Sequence, residues 1–417
     1  MIAGLRALTS RGRSFLASGV AALLMALLLG EHDLLRIGVL IVALPLLAAL
    51  VVARTRYRLA CARRLDPPRT EVGGEATVTL RLENVTRLPT GLLLIEDTVP
   101  YALGARPRFV LDRVESRGIR EVDYRVRSDL RGRYTIGPLS VRITDPFGLV
   151  ELTRSFTIAD TLVVTPHVEA LPHVRLSGEW TGGGESRTRS VAAAGDDDVA
   201  PREYRQGDDL RRVHWRSTAR HGELMVRREE QQWQSRGALL LDTRRHAHRG
   251  EGPRSSFEVA VSAAASIGLH LAREGLGLRL VTDQGPEHLS DTGVSWSLLD
   301  TLAVVRTSPA RSLELGITAL RQGGGDGLIV AVVGAMDAEE ARELAKVRHG
   351  SATGVAVLLD VEGWEVKDYG STERRQAVEA VLTGSGWRIV TLPAATPLAA
   401  VWQSAGVKSR FSVGGAA

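Results

Sequence analysis

The chain of 417 residues holds one cysteine, Cys61. No disulfide framework can form within it, and no Cys-x-x-Cys metal pair exists, a composition that suits a reducing compartment. A basic excess is also missing from most of the chain. Nine arginines against Glu31 and Asp33 place +7 in the first 64 residues, so the remainder carries −2 of the formal total of +5. Binding of nucleic acid by phosphate neutralisation needs a basic face, so no nucleic-acid partner is expected. No lysine follows Gly182-Gly183-Gly184 and no strand leads into it, which sets a phosphate loop aside. No small-x-small cleavage site precedes the second apolar run, which sets a removed signal peptide aside. The length allows two or three domains.

What is present begins with two apolar runs, residues 15–30 and 34–53. The second has about the 20 residues that a hydrocarbon core requires, and the first is slightly short. Arg36 can snorkel to the interface. Pro45 is expected to kink the second run, which membrane helices tolerate. The link at 31–33 is too short for a domain, so a tight helical hairpin is predicted. Arg6, Arg11 and Arg13 precede it, and Arg54, Arg56, Arg58, Arg63 and Arg64 follow. The positive-inside rule then places the protein in the cell membrane with two spans and both termini cytoplasmic. Cys61 lies just after the second run, a place for palmitoylation. An inert small residue near the membrane is the favoured reading.

From residue 66 to about 167 the pattern has period two. Alternation predicts strands over 76–83, 91–96, 120–127, 139–144, 152–158 and 161–164, separated by turn pairs rich in glycine, asparagine and proline. Short strands at this spacing point to an all-β sandwich of immunoglobulin-like type. Residues 181–200 are rich in glycine, serine and charge, and read as a flexible loop. After residue 236 continuous apolar strands (238–242, 278–281, 328–333, 354–359, 387–392) alternate with amphipathic helices (256–274, 296–305, 312–321, 338–347, 372–382, 397–404). Asp337 is placed to cap one of them. That alternation predicts a mostly parallel sheet covered on both faces. Ligands of such sheets bind at the carboxyl ends of the strands.

Asp242 ends the first of these strands. The region resembles a von Willebrand factor A domain, in which an Asp-x-Ser-x-Ser motif after the first strand holds a divalent cation. Here the corresponding residues are Asp242-Thr243-Arg244-Arg245-His246. Both serine positions are replaced, and Arg244 brings positive charge where the ion would sit, while hard cations take oxygen ligands. Asp283 and Asp337 are further candidates. Pairing of Asp242 with a nearby arginine, or a turn cap, is the competing reading, and no cofactor is expected.

The most charged stretch is Tyr204–Glu230. Gly207-Asp208-Asp209 can start a helix, with an aspartate accepting bonds from free amides, and Gly222 can end it. Residues 223–228 alternate and read as an edge strand. Arg212, Arg216 and Arg220 repeat at spacing four on one face, with Arg211 beside them. Exposed ion pairs stabilise by under ~1 kcal/mol each, so stability alone explains the cluster poorly. Trp215 can supply an apolar anchor and a face for a guanidinium. His214 with Asp208 could form an acid–base pair, yet no nucleophile, phosphate loop or metal set accompanies them.

The run Tyr204-Arg205-x-Gly207-Asp208-Asp209-x-Arg211-x-x-His214-Trp215-Arg216-x-x-Ala219-Arg220, followed by Leu224-x-Val226-Arg227, resembles the signature of the bacterial domain-of-unknown-function family fifty-eight. The resemblance implies a membrane-anchored protein with two N-terminal spans, a β-sandwich, this signature and a von Willebrand factor A-like fold. It also implies a gene often beside one for a MoxR-type AAA+ ATPase. It supplies no reaction.

A multi-domain chain is therefore expected. Its parts are a transmembrane hairpin with basic flanks over 1–64, a β-sandwich over 65–170 and a flexible linker over 171–200. The signature helix with the α/β domain follows over 201–417. The expected function is that of a non-enzymatic adaptor or assembly protein, with no small-molecule substrate. It would dock a cytoplasmic partner, a MoxR-type ATPase, through the signature. Two alternatives are a metal-dependent protein-binding domain using Asp242, and a hydrolase using His214 and Asp208. A third reading makes the signature a buried clamp between the sandwich and the α/β domain.

Overall fold

Length and apolarity decide the first two elements. In the computed structural model, α1 (Ser10–Leu29) and α2 (His32–Arg54) form an antiparallel hairpin. Both are long and apolar enough to cross a membrane. The residues described are 7–54, 59–176 (without 88, 113, 146 and 175), 201–203, 215–227, 236–289, 294–323, 327–349, 352–364 and 371–406. The predicted linker at 181–200 lies outside them. The two helices meet at glycines: a Cβ on Gly19 would fall 2.7 Å from Val42, and one on Gly38 would fall 2.9 Å from Leu23. Small residues let helix backbones approach in this way. Helix α2 runs on through Pro45.

The chain divides into two units, each described by itself. The first is Met1–Val168 with Glu251–Arg254 and Leu299–Arg306. Its β strands make three sheets around one core. One sheet joins β1 (Leu59–Asp66), β3 (Glu75–Asn84) and β6 (Ile119–Arg127), all antiparallel. Another has the order β5 (Arg108–Leu111), β4 (Leu92–Asp97), β8 (Leu139–Thr144), β9 (Glu151–Phe156). A third joins β2 (Arg69–Glu71), β10 (Asp160–Thr165) and β7 (Gly132–Ile136). Period-two alternation builds the core. Val78, Leu80 and Leu82 of β3 meet Leu93 and Ile95 of β4, Val141 and Ile143 of β8, and Leu162 and Val164 of β10.

Strand β1 runs across residue 64, where the basic flank of the second span was expected to end. Arg63, read from sequence as part of that flank, is instead buried in the sandwich. Its Nη2 donates to Asp97 Oδ1 at 2.7 Å and its Nη1 to the carbonyls of Ile136 and Ile158 at 3.0 Å. Cys61, two residues earlier, packs on the same core, and burial pushes its thiol up to about 12 against the opposing pull of Arg63. A thiol held protonated is a poor nucleophile.

The second unit is Glu169–Gly250, Ser255–Leu298 and Thr307–Ala417. Its sheet has six strands: β13 (Arg236–Leu241), β14 (Gly277–Thr282), β15 (Gly285–Pro286), β16 (Leu328–Val333), β17 (Thr353–Leu359) and β18 (Arg388–Leu392). The order is β15-β14-β13-β16-β17-β18, with every pair parallel except the edge hairpin β14–β15. Helices α6 (Glu314–Gln322), α7 (Ala338–Ala345) and α8 (Ser371–Gly384) cover one face, packing on Ala238, Leu240, Ala331 and Leu358. Helix α4 (Ser256–Arg273) covers the other, with Gly268 against Leu239 and against Leu298 of α5 (Val294–Val304). A short α9 (Leu398–Trp402) follows β18. Asp337 caps α7 as expected, in a capping box with Glu340. Strand order reverses between β13 and β16, and sheets of this kind bind ligands at the carboxyl ends of the strands on either side of such a switch.

Candidate functional site

The described part of the signature lies by a small ribbon. Strand β11 (Pro201–Glu203) pairs antiparallel with β12 (Met225–Arg227), and α3 (Trp215–His221) lies between them in sequence. Tyr204, Arg205, Gly207, Asp208, Asp209, Arg211 and His214 lie outside the described residues, and with them the predicted cap and the proposed acid–base pair. Arg216, Ala219 and Arg220 lie in α3, and Arg227 closes β12. Gly222 ends the helix as expected: its φ is 78° and its N–H donates to Thr218 O at 2.9 Å. The Thr218 hydroxyl accepts from Met225 N at 3.0 Å, tying helix to ribbon. Trp215 is 71% exposed, and Leu224 is exposed as well. The tryptophan is therefore not sunk into the core of its own unit. A helix of seven residues on a two-stranded ribbon offers little apolar surface to bury it.

The second charged constellation lies at the carboxyl end of the sheet. Asp242, immediately after β13, is fully buried, and so is Arg244. Arg244 folds back on the carboxylate: Nε donates to Oδ1 and Nη2 to Oδ2, both at 2.9 Å, while its backbone N–H reaches Oδ1 at 3.0 Å. The other guanidinium edge reaches Glu340 Oε1 and the Ala335 carbonyl. Gly334 N–H donates to Asp242 Oδ2 at 3.3 Å. A bidentate fork of this kind is the strongest arrangement open to the pair. Burial by itself would lower the pKa of Arg244, but Asp242 and Glu340 outweigh it and raise it. Burial pushes Glu340 above the usual carboxylate range, and Arg244 offsets part of that.

Asp283, at the end of β14, is buried beside it. It accepts from Thr243 N at 2.8 Å and from the hydroxyls of Thr243 and Ser308. His248 donates from Nε2 to the Asp242 carbonyl at 2.8 Å, and its Nδ1 faces the Ser256 hydroxyl. Burial lowers the pKa of that imidazole, which stays neutral. Two loops and the start of α7 are thus gathered around one guanidinium.

This geometry tests the cation site. Both oxygens of Asp242 are spent on Arg244, Asp283 on two hydroxyls and an amide, and Asp337 on the α7 cap. Among the described residues no group of three or more His, Cys, Asp or Glu could hold a metal ion. The residues do not fit a divalent cation, because a tethered cation fills its place. The charge of Arg244 was legible in sequence. Glu340, nearly a hundred residues away, carried no signal of its part, and neither did His248.

Residues 200–291 match a family model described as a protein of unknown function, DUF58. Over that segment the chain is similar to this family. That segment holds the signature, β13, Asp242, Arg244 and Asp283. The "Uncharacterized protein YeaD" of Bacillus subtilis (strain 168) is 25% identical to this chain over 232 residues, 53% of this chain and 54% of that one. The chain thus spans about half the length of the curated relative it matches. Among solved structures, the CARDB domain of the PF1109 protein from Pyrococcus furiosus is 13% identical, over 26% of this chain and 91% of that one, with a TM-score of 0.19. The PapD-like domain 7 of human CEP192 is 16% identical, over 24% of this chain and 85% of that one, with a TM-score of 0.16. Scores this low carry no argument.

Proposed function

We propose that the protein is a membrane-anchored, non-enzymatic adaptor that docks a cytoplasmic partner through the DUF58 signature. The observation that carries this reading is the exposure of Trp215 at 71% on a short helix. Tryptophan is costly to leave in water and is enriched where interfaces concentrate their binding energy. Leu224 adds apolar surface at the other end of the same loop, and Arg220 is exposed between them. The partner we infer is a MoxR-type AAA+ ATPase, on the strength of the family resemblance. The anchor is the α1–α2 hairpin, with both termini cytoplasmic by its flanking arginines.

We further read the sandwich as immunoglobulin-like and the six-stranded sheet as von Willebrand factor A-like. The short antiparallel edge hairpin β14–β15 and the chain reversal between β13 and β16 support the second reading. On this reading the Asp242 site serves without a metal, held in shape by Arg244, and the metal-dependent alternative loses its donor set.

The test is co-purification of the ATPase with the full chain from detergent-solubilised membranes. Trp215→Ala and Arg216→Glu are each expected to lower recovery at least tenfold, about 1.4 kcal/mol of binding free energy. Unchanged recovery from variants that keep the native circular dichroism contradicts the docking role.

A further inference from the structure

Phe147 is 62% exposed, while Leu149 and Val150, two and three residues on, are buried. Those two pack on Leu16 of α1 and on Leu44 and Ala48 of α2. The turn is rigid. The buried Asp145 carboxylate accepts from Phe147 N at 3.1 Å and from Val150 N at 2.6 Å, and Gly148 N donates to the Asp145 carbonyl. An apolar ring is thus held out in the open, one turn from side chains that seal the helical hairpin.

Two tethers fix the level of this turn. The first is at the start of α1. Leu8 bridges Val150, Thr9 N donates to Leu149 O at 3.0 Å, and the Thr9 hydroxyl donates to Gly148 O at 2.7 Å. Gly12 permits the approach, since a Cβ there would fall 2.2 Å from Leu149 O. The second is at the end of α2. Arg54 closes the helix and Leu59 opens β1, and five residue steps reach at most about 18 Å. Leu59 pairs with Asn84, Glu83 with Ile119, and Thr144 with both Leu92 and Glu151. Asn84 and Thr90 both bond Val114, which joins the end of β3 to the segment leading into β4. Both tethers therefore hold the same end of the sandwich against the hairpin. The apolar span of α2 closes at Leu50, so Leu44 and Ala48 lie roughly 3–9 Å inside it, which places the turn near the boundary between acyl chains and headgroups.

The chemistry of that end agrees. Leu92 and Ile119 are exposed there with Phe147. Arg11, Arg13, Arg87, Arg117 and Arg120 are exposed around them, against Asp112, Glu115 and Glu121. Aromatic rings favour the membrane interface, and arginines near it attract anionic headgroups. We propose that this end of the sandwich, led by Phe147, rests in the headgroup layer of an anionic bilayer, so that the hairpin and sandwich meet the membrane as one body. This rests on the membrane-anchor reading above.

Because Cys61 is the single cysteine, a Cys61→Ser chain can carry one spin label at a time. Labels at Phe147→Cys, Leu27→Cys in α1 and Tyr101→Cys in the sandwich would be compared in the full chain. The chain would be reconstituted in vesicles of phosphatidylethanolamine and phosphatidylglycerol. The label at 147 is expected to be reached by oxygen, with a several-fold lower accessibility to a water-soluble nickel chelate than at 101. Equal chelate accessibility at 147 and 101, with 27 in lipid, overturns the proposal and leaves the anchor standing. Protection at 147 from both reagents means a protein contact and also overturns it. A water-exposed label at 27 removes the anchor reading itself. If the cysteine variants do not fold, p-azidophenylalanine at 147 beside native Cys61 is irradiated in the same vesicles. Lipid adducts support the proposal and their lack overturns it.

Discussion

Arg63 in the sandwich and Arg244 in the α/β unit solve one problem in two settings. Each is a buried guanidinium gripped by a buried aspartate, Asp97 and Asp242 respectively. Arg63 sits mid-strand, where it also bonds the carbonyls of Ile136 and Ile158 and the half-exposed Asp160 carboxylate. Tyr124 completes that site by donating to Asp97 at 2.6 Å, and burial, then Asp97, hold its hydroxyl far above its usual pKa. Arg244 sits past the end of a strand, and one of its partners, Glu340, keeps 20% of its side chain in solvent. The first site ties strands together. The second shapes loops at the carboxyl end of the sheet, where α/β folds bind ligands. The same ion pair therefore means stability in one place and a shaped surface in the other.

The comparison can be broken by removing each arginine. Arg63→Ala leaves Asp97 charged and sealed from water, a loss of ~3–5 kcal/mol in denaturant unfolding of the sandwich. A loss under ~1 kcal/mol contradicts the account. Arg244→Ala leaves the equally buried Asp242 without its fork and should cost a similar ~3–5 kcal/mol in the α/β unit. It should also leave Asp242 and Glu340 without a cation, so millimolar magnesium raises the melting temperature of this variant. The native chain and Arg63→Ala should show no such gain. The smallest effect is with pH. His248 is neutral in the fold with its pKa below the ordinary ~6.5, whereas the unfolded chain protonates it near that value. Its contribution is complete above about pH 6.5 and is lost as pH falls toward the lower folded value. Between pH 7.5 and 5.5 the α/β unit should lose under ~1 kcal/mol from this source. His248→Asn should flatten that slope, while Arg63→Ala leaves it unchanged.

Much of the scaffold was legible because it is periodic. The two apolar helices, the alternating strands at 75–84, 92–97, 119–127 and 139–144, and the strands and helices after 236 follow local pattern. The elements that were missed are those whose pattern is overwritten by charge or brevity. Strand β1, LACARRLD, reads as a basic flank because Arg63 is neutralised only by Asp97, 34 residues on. Strands β5 and β7 span four and five residues and are too short to show a period. At the candidate site, Asp242 and the charge of Arg244 were visible, but long-range partners such as Glu340 and Ser308 depend on strand order, which local sequence does not encode. The exposure of Trp215 runs against its apolarity, and pattern alone places a tryptophan inside.

The central claim is that this tryptophan meets another protein. A photoreactive benzoylphenylalanine at position 215 of the full chain, irradiated in native membranes, reads that contact directly. The account predicts an adduct whose mass and peptides identify an AAA+ ATPase, with none from a control residue at exposed Tyr101. Adducts only to lipid, or none above the Tyr101 control, would contradict it.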